Sequence, residues 1–163
     1  MNQFKALFAI LALGFSLNSM AITDDQSVEF TGACNEGNLK TVQRYIEKEH
    51  VDVNDKYFAW SALQMAATRG HLDIVKYLVE HGADMNYAHP LTKMTPFHLA
   101  AFDGYEDIVK YLASKGADIN KKMKGDVSLI RVMKDEGPRA EKMVKLLTEL
   151  GVKDDGCQDE KCF

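Results

Sequence analysis

Apolar residues recur at helical spacing in two stretches that nearly duplicate each other, GHLDIVKYLVEHGADMN (Gly70 to Asn86) and GYEDIVKYLASKGADIN (Gly104 to Asn120). Leu72, Val75, Leu78 and Val79 predict the buried stripe of a helix, matched by Ile108, Val109 and Leu112 in the second stretch. Ahead of each stripe lies a shorter helical pattern with a mostly small apolar face, Leu63, Ala66 and Ala67 in one copy and Phe97, Ala100 and Ala101 in the other. Ser61 and Thr95 are placed to cap these short helices, with Gln64 at capping-box spacing and Pro96 at a first helical position. Gly82, Gly116 and Gly151 are placed to end the longer helices in a left-handed turn. Ser61 to Asn86 aligns on Thr95 to Asn120 without a gap.

Weaker copies flank this pair. Ala33 to Asn54 keeps the Ala, Gly, Leu, Val and Asp-x-Asn positions, with one extra residue and His50 where the other copies have Gly. Gly125 to Val152 lacks the paired alanines and inserts a few residues around Gly137 and Pro138. A repeat period near 33 residues predicts a stack of helix pairs with atypical end units. The run Thr95-Pro96-Phe97-His98-Leu99-Ala100 resembles the signature of the ankyrin repeat. That resemblance implies an all-α solenoid of about four helix-turn-helix units joined by β-hairpin-like fingers. The expected units span 27–56, 57–89, 90–122 and 123–153, within a repeat domain of 22–153 followed by a tail of 154–163.

The first 21 residues change the expected location. Lys5, the uncharged apolar run from Ala6 to Leu17, and the small residues Ser19 and Ala21 form a secretory leader pattern with a cut after Ala21. The run is short for a membrane span, and no later segment is long and apolar enough for one. The expectation is a protein exported to the periplasm, with release into the medium as the alternative and no membrane anchor after leader removal. Loss of the leader, which holds Lys5 and no acid, takes the formal charge from −4 to −5. That balance argues against binding nucleic acid through a bulk electrostatic field.

Candidate contacts follow from the resemblance, which places partner contacts on the turns before each short helix and just after the paired alanines. These positions are Tyr57, Phe58, Trp60, Thr68 and Arg69 in the second unit, and Leu91, Met94, Phe102 and Asp103 in the third. Met123 belongs to the fourth, and Asn35 and Glu36 are the counterparts in the first. Asn86 to Thr95 is a longer finger than Asn54 to Ser61, and it adds Tyr87 and His89 to the set. Three aromatics within four positions are unusual for turns, which favour polar turn formers. Aromatic residues and Met gathered on one surface mark a contact face. Trp60 is the expected central anchor, and the rival reading folds Phe58 or Trp60 back over the neighbouring finger.

Chemistry-bearing motifs are absent from the sequence. No nucleophile elbow, phosphate loop or dinucleotide fingerprint occurs. No histidine has a second ligand at helical spacing, so neither a metal nor another cofactor is expected. His98 falls on the signature histidine of the resemblance, which bonds loop backbone, and Cys34 aligns with the paired alanines as a small buried residue. Cys157 and Cys162 suggest a local disulfide in an oxidising compartment. The expected protein is therefore a non-enzymatic binding module, monomeric when free, with a protein partner. Exported bacterial proteins of the resembled family include ones that protect the producing cell. That implies binding and occlusion of an envelope enzyme such as a cell-wall hydrolase or toxin, for self-protection. The alternatives are a secreted effector that binds a host protein, or a non-inhibitory scaffold or partner of a periplasmic detoxifying enzyme.

Overall fold

The computed structural model describes residues 23–156. The expected leader and the Cys157 and Cys162 pair lie outside the described residues. Four helix pairs follow one another: α1 (Asp24–Glu36) with α2 (Leu39–Glu47), α3 (Ala62–Arg69) with α4 (Leu72–Glu80), α5 (Pro96–Phe102) with α6 (Glu106–Ser114), and α7 (Leu129–Asp135) with α8 (Glu141–Glu149). The residues inserted around Pro138 form a 3-10 turn, Gly137–Ala140, between α7 and α8. The strands described are β1 (Lys56–Tyr57) and β2 (Trp60–Ser61), an antiparallel pair in the first finger.

Side-chain caps set where the inner helices begin. Ser61 Oγ accepts the Gln64 amide at 3.1 Å, and Gln64 Oε1 accepts the Ser61 amide at 3.1 Å. Thr95 and His98 make the same reciprocal box, with imidazole Nδ1 in place of the amide oxygen. Thr23 and Gln26 repeat it again. As a result α1 starts at Asp24, ahead of the spacing-based unit boundary at 27, and runs 13 residues against 8 in α3 and 7 in α5.

Small side chains decide how the units stack. Ala33, Cys34, Ala66, Ala67, Ala100 and Ala101 are all buried where α1 packs on α3 and α3 on α5. Behind them the outer helices bury Ile74, Val75 and Leu78, then Ile108, Val109 and Leu112. Leu72 and Val79, expected in the buried stripe, flank it half-exposed. In the fourth unit Met133 and Lys134 stand at the alanine positions, and a hollow of about 310 Å³ lies between the third and fourth units. Gly70 shows how close the approach is, because a Cβ there would meet the Tyr105 ring at 2.3 Å. His50 takes the left-handed turn itself, at φ 53°.

A polar ladder ties the units together at the finger bases. Asp52, Asp84 and Asp118 each accept the amide two residues on, at 2.8, 2.8 and 3.1 Å, which forms a local turn. The residue so positioned is an asparagine, whose Oδ1 accepts an amide of the next unit. Asn54 takes that of Asp84 at 2.8 Å, Asn86 that of Asp118 at 2.7 Å and Asn120 that of Lys153 at 2.8 Å. A second set of bridges runs from the caps. Gln64 Nε2 donates to the Met94 carbonyl at 2.9 Å, and His98 Nε2 to that of Lys121 at 3.0 Å. The last unit has Arg131 at this position and instead uses Asp155, which accepts from the Ser128 amide and hydroxyl and pairs with Lys122. Desolvation raises the Asp155 pKa, but the bonds from Lys122 and Ser128 outweigh it and hold the carboxyl at about 2.

His98 makes the fold sensitive to acid. Burial is the main reason its pKa falls to about 4, against the opposing pull of the Lys121 carbonyl. In the unfolded chain it titrates near ~6.5, so between these values the unfolded state binds more protons and stability falls as pH drops through the window. The loss at the acid end is roughly 3 kcal/mol. His98→Gln copies the Gln64 bridge without a titratable ring. Urea unfolding near neutrality and at about pH 4.5 should show the variant losing much less stability than the parent chain; equal losses in both would remove His98 as the source.

Candidate protein-docking groove

The sequence places an antiparallel pair at the first finger with only Phe58 and Ala59 between the strands, since Tyr57 pairs Trp60. Both turn residues have positive φ, 46° and 67°, as a two-residue type I′ turn demands. Such turns favour Asn-Gly, because a Cβ in the left-handed region costs roughly 1–2 kcal/mol per residue. Here the chain spends that strain on a turn that presents Phe58 to solvent, 81% exposed. Neighbours hold the conformation. The Tyr87 hydroxyl donates to the Ala59 carbonyl at 2.8 Å, and Lys56 Nζ lies 4.4 Å from the centre of the Tyr87 ring.

Beside this finger, α1 and α3 form the floor of a hollow of about 410 Å³. Val28, Thr31, Gly32 and Met65 supply its base. Tyr57 and Trp60 wall it on the finger side, and Asn35, Thr68 and Arg69 close the opposite end. Arg69 Nε donates to Asn35 Oδ1 at 2.8 Å, and the Thr68 hydroxyl donates to the Gln64 carbonyl at 2.9 Å. Five positions of the resemblance-based set of contacts and counterparts thus meet in one concavity. Val28, 49% exposed, extends the apolar surface outward.

Other members of the expected set lie elsewhere. Leu91 stands at the tip of the second finger, 74% exposed. Met94 is half-buried, and its carbonyl accepts from Gln64 and from the His89 amide. Phe102 and Asp103 line the hollow between the third and fourth units, where burial raises the Asp103 pKa against the opposing charge of Arg69. Two expectations need correction, because His89 is 7% exposed and Met123 8%. The His89 ring stacks under Trp60 at 4.6 Å while its backbone closes the second finger through Met94 and Lys93, at 2.9 and 2.8 Å. Met123 packs its apolar body into the core at the base of the third finger. Neither presents a side chain to a partner. Trp60 is half-buried on His89, so the most exposed aromatic of the finger is Phe58, whose ring meets that of Tyr57 edge-on at 4.5 Å.

Val28, Thr31, Gly32 and Met65 were not in the expected set. The signal for Val28 is the Thr23-x-x-Gln26 box, which starts α1 early, while Thr31 and Gly32 stand at the registers of Gln64 and Met65. Reactive chemistry is not gathered here. Cys34 is buried, and burial pushes its thiol up to about 12, so it stays protonated. Among the described residues no group of three His, Cys, Asp or Glu side chains is placed to hold a metal, and no helix is long and apolar enough to cross a membrane.

Comparison with known proteins agrees with this architecture. A family model described as ankyrin repeats (3 copies) matches residues 30–123. Over 76 residues the chain is 36% identical to a palmitoyltransferase, AKR1, of Eremothecium gossypii, covering 45% of this chain and 10% of that protein. It is also 36% identical over 76 residues to ankyrin repeat domain-containing protein 49 of Bos taurus, covering 44% of this chain and 31% of that protein. A third relative, ankyrin repeat and SAM domain-containing protein 6 of Rattus norvegicus, is 45% identical over 51 residues, covering 30% of this chain and 6% of that protein. The chain therefore spans less than a third of the length of each of these relatives.

The strain at the finger tip is measurable. Ala59→Gly keeps Phe58 and removes the Cβ from a left-handed residue, so it should raise stability by about 1 kcal/mol. Chemical unfolding of the two proteins reads this directly, and an unchanged or lower midpoint would show that the turn is not strained.

Proposed function

We propose that this chain, which belongs to the ankyrin-repeat family, binds a protein in the groove beside its first finger and blocks that partner sterically. Ankyrin repeats make protein-binding modules, and that much holds for the chain as a member. The finer reading is an exported protein of the periplasm that occludes an envelope enzyme, such as a cell-wall hydrolase or toxin, in self-protection. Its support is the leader pattern in the first 21 residues, joined to a rigid stack with one aromatic finger turned outward.

The observation that carries the reading is Phe58, exposed on a strained turn beside an apolar hollow. A large side chain held in water at conformational cost gains when a partner covers it. Occlusion needs no reactive group on the binder. A stack that fits across an active-site mouth excludes substrate by volume.

Envelope extract supplies the test. The purified chain, added to the extract, should lower a peptidoglycan-hydrolysing activity and co-purify with the enzyme responsible. Truncating an interface anchor commonly costs about 2 kcal/mol, so Phe58→Ser should weaken binding about thirtyfold. The thermal midpoint should not fall, because Phe58 lies outside the core. Binding that leaves the activity intact would point to a scaffold instead, and equal affinity of the variant would remove the finger from the contact. Fractionation that finds the chain only in the medium would overturn the periplasmic location.

A further inference from the structure

We infer that the groove takes a partner segment carrying an apolar side chain next to an Asp or Glu, with the carboxylate held by Arg69; this rests on the groove being the protein-binding site. Of the residues that line the hollow, Arg69 alone is charged. Its Nε is committed to Asn35 Oδ1 at 2.8 Å, which fixes one edge of the guanidinium. Its terminal nitrogens make no ion pair with any described residue. Asp103 lies near enough for the charge of Arg69 to lower its pKa, yet it forms no salt bridge with it. A guanidinium with one edge pinned offers its remaining donors as a planar fork, the geometry that a carboxylate matches with two parallel hydrogen bonds.

Apolar recognition and the charge sit at opposite ends of the same hollow. Tyr57 and Trp60 stand on the finger side with Val28 and Met65 beneath, and the hollow of about 410 Å³ is large enough for a bulky side chain. The approach favours an acidic segment as well. The three finger segments, 54–61, 86–95 and 120–128, hold five lysines against two aspartates in a chain whose formal charge is −4. Lys93 and Lys124 are exposed there. A negative segment arriving along the fingers therefore meets a locally positive edge on an acidic molecule, which favours encounter in that orientation.

The probe is a phage-displayed library of disulfide-closed random peptides selected on the purified chain. Winners are then synthesised with amidated C-termini, so that side chains supply their only carboxylates. They should share an Asp or Glu beside a large apolar residue. Arg69→Gln should weaken the tightest peptide by roughly tenfold or more without moving the thermal midpoint, and Arg69→Lys, which keeps charge but loses the fork, should fall between. Changing the peptide carboxylate to its amide should cost as much as Arg69→Gln, and both changes together no more than either alone. Selected peptides without an acid, or losses that simply add, would overturn the Arg69 assignment. Should such peptides still depend on Phe58 or Trp60, the groove reading survives that failure. Peptides insensitive to all three residues, or a selection that yields no binder, would sink both.

Discussion

Ala66, Ala67, Ala100 and Ala101 leave so little side chain between the inner helices that α3 and α5 approach almost backbone to backbone, and every other feature of the stack depends on that spacing. Close approach puts many weak dispersion contacts within range at once, and a gap of under an ångström would forfeit much of each. It also fixes the distance across which the polar ladder must reach. Asn54, Asn86 and Asn120 meet the next unit's amide at 2.7 to 2.8 Å because the helices behind them set the interval. Apolar packing and hydrogen bonding therefore specify one repeat distance, and each unit is stable only against its neighbours. The fourth unit departs from the rule, with Met133 and Lys134 where the alanines would stand. There the seam opens into a hollow, and Asp155 returns from beyond the last helix to satisfy the Ser128 cap.

The same spacing builds the binding face. Small residues point into the seams, so the larger side chains at the ends of the inner helices, Thr68 and Arg69 among them, are left on the concave side. Because α1 begins more than a turn earlier than α3, its N-terminal part reaches past the seam and brings Val28 under the finger, while Gly32 lines the hollow at the register of Met65. The groove is thus a product of unequal helices in an otherwise regular stack.

Much of this was legible in the sequence where local chemistry and periodicity agree. The capping boxes at Ser61 and Thr95, the left-handed glycines and the paired alanines each name a local structure, and the duplication names the stack. What the sequence could not give was facing. His89 and Trp60 lie in different fingers, so their stacking depends on the interval between units, and nothing in the finger's own residues shows which of the two turns inward. Leu72 and Val79 fit the helical period yet sit at the margin of the stripe, because the neighbouring helix covers Ile74 and Val75 instead. Met123 read as a turn residue by alignment, but the backbone bonds of its turn with Val127 draw it into the core.

The first finger shows how a regular fold can hold an irregular device. Two left-handed residues without glycine cost roughly 2–4 kcal/mol together, more than a two-stranded hairpin supplies for itself. The conformation persists because its surroundings over-determine it: Tyr87 holds the Ala59 carbonyl, Trp60 lies on His89, and Ser61 at the end of β2 is committed to the cap of α3. Each of these anchors belongs to the second or third unit, so the tip inherits the rigidity of the stack. Phe58 is consequently held in place before any partner arrives, and the entropy that a mobile loop would lose on binding is already spent in folding.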